Sequence, residues 1–402
     1  MKFSKLSQLF LVSSIGLLVA TLLTACQIVT IDYVFIASST AGTGGDGSID
    51  TYAVDSESGA LRKGQPAVSS TGVNPVALAV SHDFANLYVA HQGDNSVVHF
   101  SISASGVLSK KDSVTLAAAP VALAINAANS QLYVVSGTTS ATLSVYPLSA
   151  GAIGAVAAQQ PLTVPGYGGD VIVPTAVTVL ANSAAVYVGA YDQSAYNPGG
   201  STTSNANPGW VFGFATGSGG ALTAAAGSPW KAGVKPAGIV ADPTNRFVYV
   251  TDFASNQLIG YSIQSGNILN FLINGPFRTG AEPSAIVIDP RGKYIYLANT
   301  LDSSVSAYTI DLSTGTPSAS VNPTGSSTNT TDTQPVGIAI DPALGRFIYT
   351  ANYLGNSASG FRLNPDNGTL LLTQATPYPT GAKPSAIAMV PHGNHSVQSV
   401  TP

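Results

Sequence analysis

Glu282-Pro283-Ser284-Ala285-Ile286-Val287-Ile288-Asp289-Pro290-Arg291-Gly292-Lys293-Tyr294-Ile295-Tyr296-Leu297-Ala298-Asn299 reads as two β-strands and the turn between them. The run after Pro283 is short and apolar, rich in the β-branched residues that strands favour. Asp289-Pro290-Arg291-Gly292 suits a type I turn with proline at its second position. Ile295-Tyr296-Leu297-Ala298 is apolar at every position, which predicts burial on both faces.

Outward from this stretch, the pattern repeats. Proline-led strands begin at Pro75, Pro120, Pro174, Pro236, Pro283, Pro335 and Pro384, spaced 45 to 62 residues apart and about 50 on average. Tyrosine-bearing strands follow at Tyr88, Tyr133, Tyr187, Tyr249, Tyr296 and Tyr349. Third strands end on Phe100, Tyr146, Phe214, Tyr261, Tyr308 and Phe361, which are expected to pack between units. A four-stranded unit of this length is the blade of a β-propeller. The chain ends complete the count. Tyr33-Val34-Phe35-Ile36-Ala37 is a second strand with no proline strand before it, and Lys383-Pro384-Ser385-Ala386-Ile387 is a first strand with nothing after it. The expectation is all-β: seven four-stranded antiparallel blades over residues 33–393, closed by strands from both termini. Closure of this kind removes free edges. A transmembrane β-barrel is the rival, but it should alternate lipid-facing residues in every strand.

Composition narrows the function classes. Of 402 residues, 45% are hydrophobic and only 8% charged, with net charge −4. That balance excludes intrinsic disorder and a basic nucleic-acid footprint. One cysteine excludes a disulfide scaffold and a cysteine zinc site, and five scattered histidines call for no metal or other cofactor. Gly42-Thr43-Gly44-Gly45-Asp46-Gly47 lacks the Lys-Ser/Thr ending of a phosphate loop and reads as a hairpin turn.

The N-terminus predicts export. Lys2 and Lys5 precede an apolar run from Leu9 to Leu23, which ends in Leu23-Thr24-Ala25-Cys26. This is a secretory signal, and its ending resembles the bacterial lipobox, in which the cysteine is acylated. The resemblance implies a signal over residues 1–25, lipidation at Cys26, a tether over 26–32 and membrane attachment through the acylated cysteine. Gln27 favours the outer membrane by the lipoprotein sorting pattern, with the propeller periplasmic or surface-facing. Residues 394–402 form a tail, and a monomer is expected.

The Pro…Asp-Pro…Tyr-Val-Thr/Ala-Asn rhythm, best seen at Tyr296-Leu297-Ala298-Asn299 and Tyr349-Thr350-Ala351-Asn352, resembles the seven-bladed YVTN propellers and the lactonase-like propellers related to 6-phosphogluconolactonase. The motifs specify an architecture, and one fold hosts many functions. The resemblance implies a His, a Glu and an Arg near one mouth of the channel. The matching places here hold Pro174-Thr175-Ala176-Val177, Phe253 after Asp252, and Asn299-Thr300. A hydrolase of this type would therefore have a departed active site.

Loop lengths point to one face. The proline-to-aromatic distance is 25 or 26 residues in five blades and 40 from Pro174 to Phe214, the excess falling near 191–209. Further long loops cover 318–334 and the stretch from Tyr146 to Pro174. All three would project from the face where second strands end, and long loops on a rigid scaffold are where propellers carry function. Candidate ligand-binding residues there are His91, Tyr191, Asp192, Tyr196, Trp210, Asp252, Asn299 and Asn352. The plainer alternative is that the Asn and Asp residues cap local turns. Three functions stay open: an envelope-anchored module binding a protein, peptide or glycan, a lactone hydrolase, and a structural surface protein.

Overall fold

The computed structural model describes residues 29–40, 45–137, 140–166, 171–196 and 208–393. The signal (1–25), Cys26, the tail (394–402) and part of the 191–209 insertion lie outside the described residues.

Seven separate antiparallel sheets stand around an axis as seven blades. Blades 1 to 6 begin with inner strands Pro75–Val80, Pro120–Ile125, Ile172–Val179, Pro236–Ala241, Pro283–Ile288 and Pro335–Ile340. Blade 7 is built from both ends: Ala382–Pro391 is its inner strand, Thr30–Thr40 its second and Asp46–Asp55 its third. Each inner strand neighbours the next around a closed ring, so no barrel wall forms. Small residues allow that crowding; a Cβ on Gly238 would come within 3.0 Å of the Ile286 side chain in the next blade.

The outer position departs from the simple four-strand plan. In six blades two short pieces both pair with the third strand, and only blade 1 has an unbroken outer strand, Leu108–Thr115. Pro229, Pro276 and Pro377 fall between the pieces in blades 3, 4 and 6. A proline cannot donate to the ladder, so it suits such breaks as it suits the first residue of a strand.

The second-strand tyrosines explain the repeat physically. Their rings are buried between blades, where removing an aromatic side chain costs about 3–5 kcal/mol. Tyr133 donates to Gln131 in its own strand, and the other five hydroxyls stitch their blade to the next: Tyr88 donates to the Gly151 carbonyl (2.6 Å), Tyr187 to Asn267 (2.9 Å), Tyr249 to Gly315 (2.7 Å), Tyr296 to Gly368 (2.9 Å) and Tyr349 to Gly59 (2.5 Å). The last of these joins blade 6 to blade 7. Blade 7 carries Phe35 at the matching place, buried but without a hydroxyl.

Candidate functional site

The inner strands begin and the second strands end on one face. Pro75 pairs with His91, Pro236 with Asp252, Pro283 with Asn299 and Pro335 with Asn352. This is the mouth face, and the opposite end is the turn face.

Six of the eight sequence-chosen residues are buried there, Trp210 among them, and four of the other five use polar atoms inside the blades. Asp252 accepts the Val234 and Lys235 N–H groups, each at 2.9 Å. Asn299 donates to the Ser304 and Ser306 hydroxyls at 3.0 and 2.9 Å, and Asn352 donates to Ser357 and Ser359 at 3.0 and 2.9 Å. Asp192 accepts the Ser194 N–H at 2.9 Å. His91 is fully buried with neither ring nitrogen bonded. Gly72 lies against the imidazole, and a Cβ there would meet the ring at 2.4 Å. Burial pushes the His91 pKa down to about 4, with Asp94 and Asp46 opposing.

The three aromatic candidates meet partners that sequence reasoning missed. Tyr191 and Tyr196 sit edge-to-face, with centroids 5.4 Å apart. The Lys235 ammonium stands 5.5 Å from the Tyr191 centroid, 5.1 Å from Tyr196 and 4.8 Å from Phe253. One cation therefore faces three rings, each an attractive cation–π partner. Trp210 is 9% exposed, and the Lys231 ammonium lies 3.6 Å from its ring. Burial lowers the Lys231 amine, while Asp192 opposes that shift.

Glu282 is tied by its backbone to the neighbouring turn. Its N–H donates to Asn256 Oδ1 (2.8 Å) in the turn that carries Phe253, and the Thr300 N–H donates to its carbonyl (2.9 Å). The Phe253 N–H donates to the Lys235 carbonyl at 2.9 Å, so that turn lies between Lys235 and Glu282. Glu282 has φ +57°, as Asn74 (+55°), Gln334 (+63°) and Lys383 (+54°) do at the same point of other blades. A left-handed residue there costs roughly 1–2 kcal/mol, offset here by the two backbone bonds. Burial raises the Tyr196 phenol, and the Glu282 and then the Asp252 charges raise it further. The signal for Lys235 and Glu282 was available: each stands immediately before an inner-strand proline, a position the repeat assigns to the mouth.

A groove of about 420 Å³ lies on the outer rim between blades 5 and 6, with Asn322, Thr324 and Thr328 on one wall and Leu370–Leu372 on the other. Its amide and hydroxyl groups are largely bonded to one another, as Asn322 is to Thr324 and Ser326. Among the described residues no three His, Cys, Asp or Glu side chains gather as a metal site.

The chain belongs to the lactonase family of seven-bladed β-propellers, whose model matches residues 33–171 and 231–398. The unmatched stretch, 172–230, holds most of blade 3 and its insertion. No curated protein matches the chain. Among solved structures it is similar to a periplasmic gluconolactonase of Pseudomonas aeruginosa, with 18% identity, TM-score 0.73, and coverage of 90% of this chain and 100% of that one. A putative 6-phosphogluconolactonase of Bacteroides fragilis gives 17% identity, TM-score 0.71, and coverage of 91% and 99%. At such identities the likeness is one of fold.

Proposed function

We propose that the protein is an exported lactonase-type propeller that binds and opens a small lactone ring at the mouth between blades 3 and 4. The observation that carries this reading is the meeting of Tyr191 and Tyr196, from the stretch the family model leaves unmatched, with Lys235 and Phe253 from the matched part. Rings and a fixed cation suit a flat, polar, oxygen-rich ligand. The name of the Pseudomonas relative, a periplasmic gluconolactonase, supports both the ligand class and export. Acylation of Cys26 would hold the propeller at the outer membrane, since two or more chains give stable anchoring.

A second reading, a binding module for an envelope protein, peptide or glycan without turnover, is favoured by one fact. The family's catalytic places hold Thr175, Phe253 and Thr300. A soluble form starting at residue 27, which keeps every described strand, separates the two. We expect saturable acid release from D-glucono-1,5-lactone above the spontaneous rate. Saturable binding without turnover would favour the second reading, and neither would defeat the ligand class. Fatty-acid labelling that survives Cys26→Ser would exclude the anchor.

A further inference from the structure

Opening a lactone needs a base to take a proton from water and a positive group for the developing oxyanion. His91 is walled off by Gly72, and the carboxylates of Asp252 and Asp192 are bonded to backbone N–H groups. The two ionisable groups left at the Tyr196 ring are Lys235 and Glu282. Neither of the two enters the ion pairs seen among the described residues, such as Lys63–Asp50 and Arg291–Asp289. Both precede inner-strand prolines of adjacent blades, and both are tied by backbone bonds to the Phe253 turn. One cation facing three aromatic rings, and one carboxylate on the neighbouring blade whose charge reaches the Tyr196 phenol, match the charge needs of a neutral cyclic ester.

Resting on the lactone reading above, we infer that Glu282 and Lys235 are the general base and the oxyanion-stabilising cation of this site, in place of the residues the family pattern carries. Water attacks the carbonyl carbon as the Glu282 carboxylate takes its proton. The carbonyl electron pair moves onto oxygen, facing the Lys235 ammonium. The pair then returns, the ring C–O bond breaks, and the departing ring oxygen takes the proton from Glu282. The product is the hydroxy acid, and Glu282 is again a carboxylate.

The test is the kcat and KM of D-glucono-1,5-lactone opening by the wild type, Glu282→Gln, Glu282→Asp, Lys235→Gln and Lys235→Arg. Gln334 adopts the same left-handed backbone as Glu282, so Glu282→Gln should fold, and a thermal melt checks it. We expect kcat to fall about 100-fold or more in Glu282→Gln and in Lys235→Gln, the scale of a lost base or oxyanion donor. KM should stay nearly unchanged, and the Asp and Arg variants should recover part of the rate. If the wild type turns over and both amide variants keep its kcat, this assignment is overturned while the lactone reading stands. If the wild type shows no turnover, both fall together.

Discussion

The two ends of the channel solve different problems. On the turn face, blades 4, 5 and 6 use one device three times. Asp242 accepts the Arg246 and Phe247 N–H groups at 2.7 Å each, and Asp289 accepts those of Lys293 and Tyr294 at 2.6 and 2.8 Å. Asp341 accepts those of Ala343 and Arg346 at 2.9 and 3.1 Å. On the mouth face, Asn299 and Asn352 repeat as strictly and Lys235 on Phe253 recurs as Lys383 on Tyr353, yet Tyr191, Tyr196 and Glu282 have no counterpart around the ring. What repeats serves assembly, and the departures of blades 3 and 4 meet at the mouth.

That contrast can be broken at several strengths. Deleting residues 383–402 removes the closing inner strand and leaves residues 32–40 without its partner. We expect loss of cooperative unfolding, and a normal melt would refute closure by the termini. Next, Asp289→Ala strips a fully buried carboxylate from several backbone N–H groups and from Arg291. Breaking such a pair costs about 3–5 kcal/mol, whereas Lys235→Gln at the mouth should cost about 1 kcal/mol, the scale of cation–π contacts outside a core. Equal losses in urea unfolding would erase the distinction.

The two faces should also answer pH with opposite signs. Asp32, on the turn face, is buried with both oxygens unbonded. Burial, then Asp341, raises its pKa from 3.8 to about 9, with Arg346 opposing. Its contribution is therefore fully present below about pH 4 and is lost as pH rises toward 9. Asp32→Asn should stabilise the fold more at pH 8 than at pH 5, by at least about 1.4 kcal/mol. His91, at the mouth, runs the other way: its stability is present above its ordinary 6.5 and lost as pH falls toward 4. Urea melts between pH 4 and 9 read both slopes. The smallest effect belongs to the insertion. Cutting it to the length of its counterparts should change stability by about 1 kcal/mol or less, because closure cost grows only as (3/2)RT ln n. It should weaken lactone binding by removing the Tyr196 ring.

The fold was legible because its signal repeats. Seven prolines, six tyrosines and two mismatched ends determine the blade count, the strand order and the closure. The lengthened connection of blade 3 was legible too, from the excess length between Pro174 and Phe214. The contacts were not. The Tyr349 hydroxyl finds its acceptor 290 residues away, and the rings around Lys235 come from blade 3 as well as from its own blade. Such meetings depend on ring closure, which no local pattern encodes. Nor does alternation say that Asp252, Asn299 and Asn352 would turn inward to bond their own blade, because a polar strand end reads the same either way.

The central claim is that function sits where the repeat breaks. It is tested most directly by the initial rate of acid release from D-glucono-1,5-lactone, compared among the wild type, Asp32→Asn and the shortened insertion. We expect turnover by the wild type, the same rate in Asp32→Asn on the turn face, and a large loss in the shortened protein despite a normal melt. An unchanged rate in the shortened protein, or no turnover by the wild type, would contradict it.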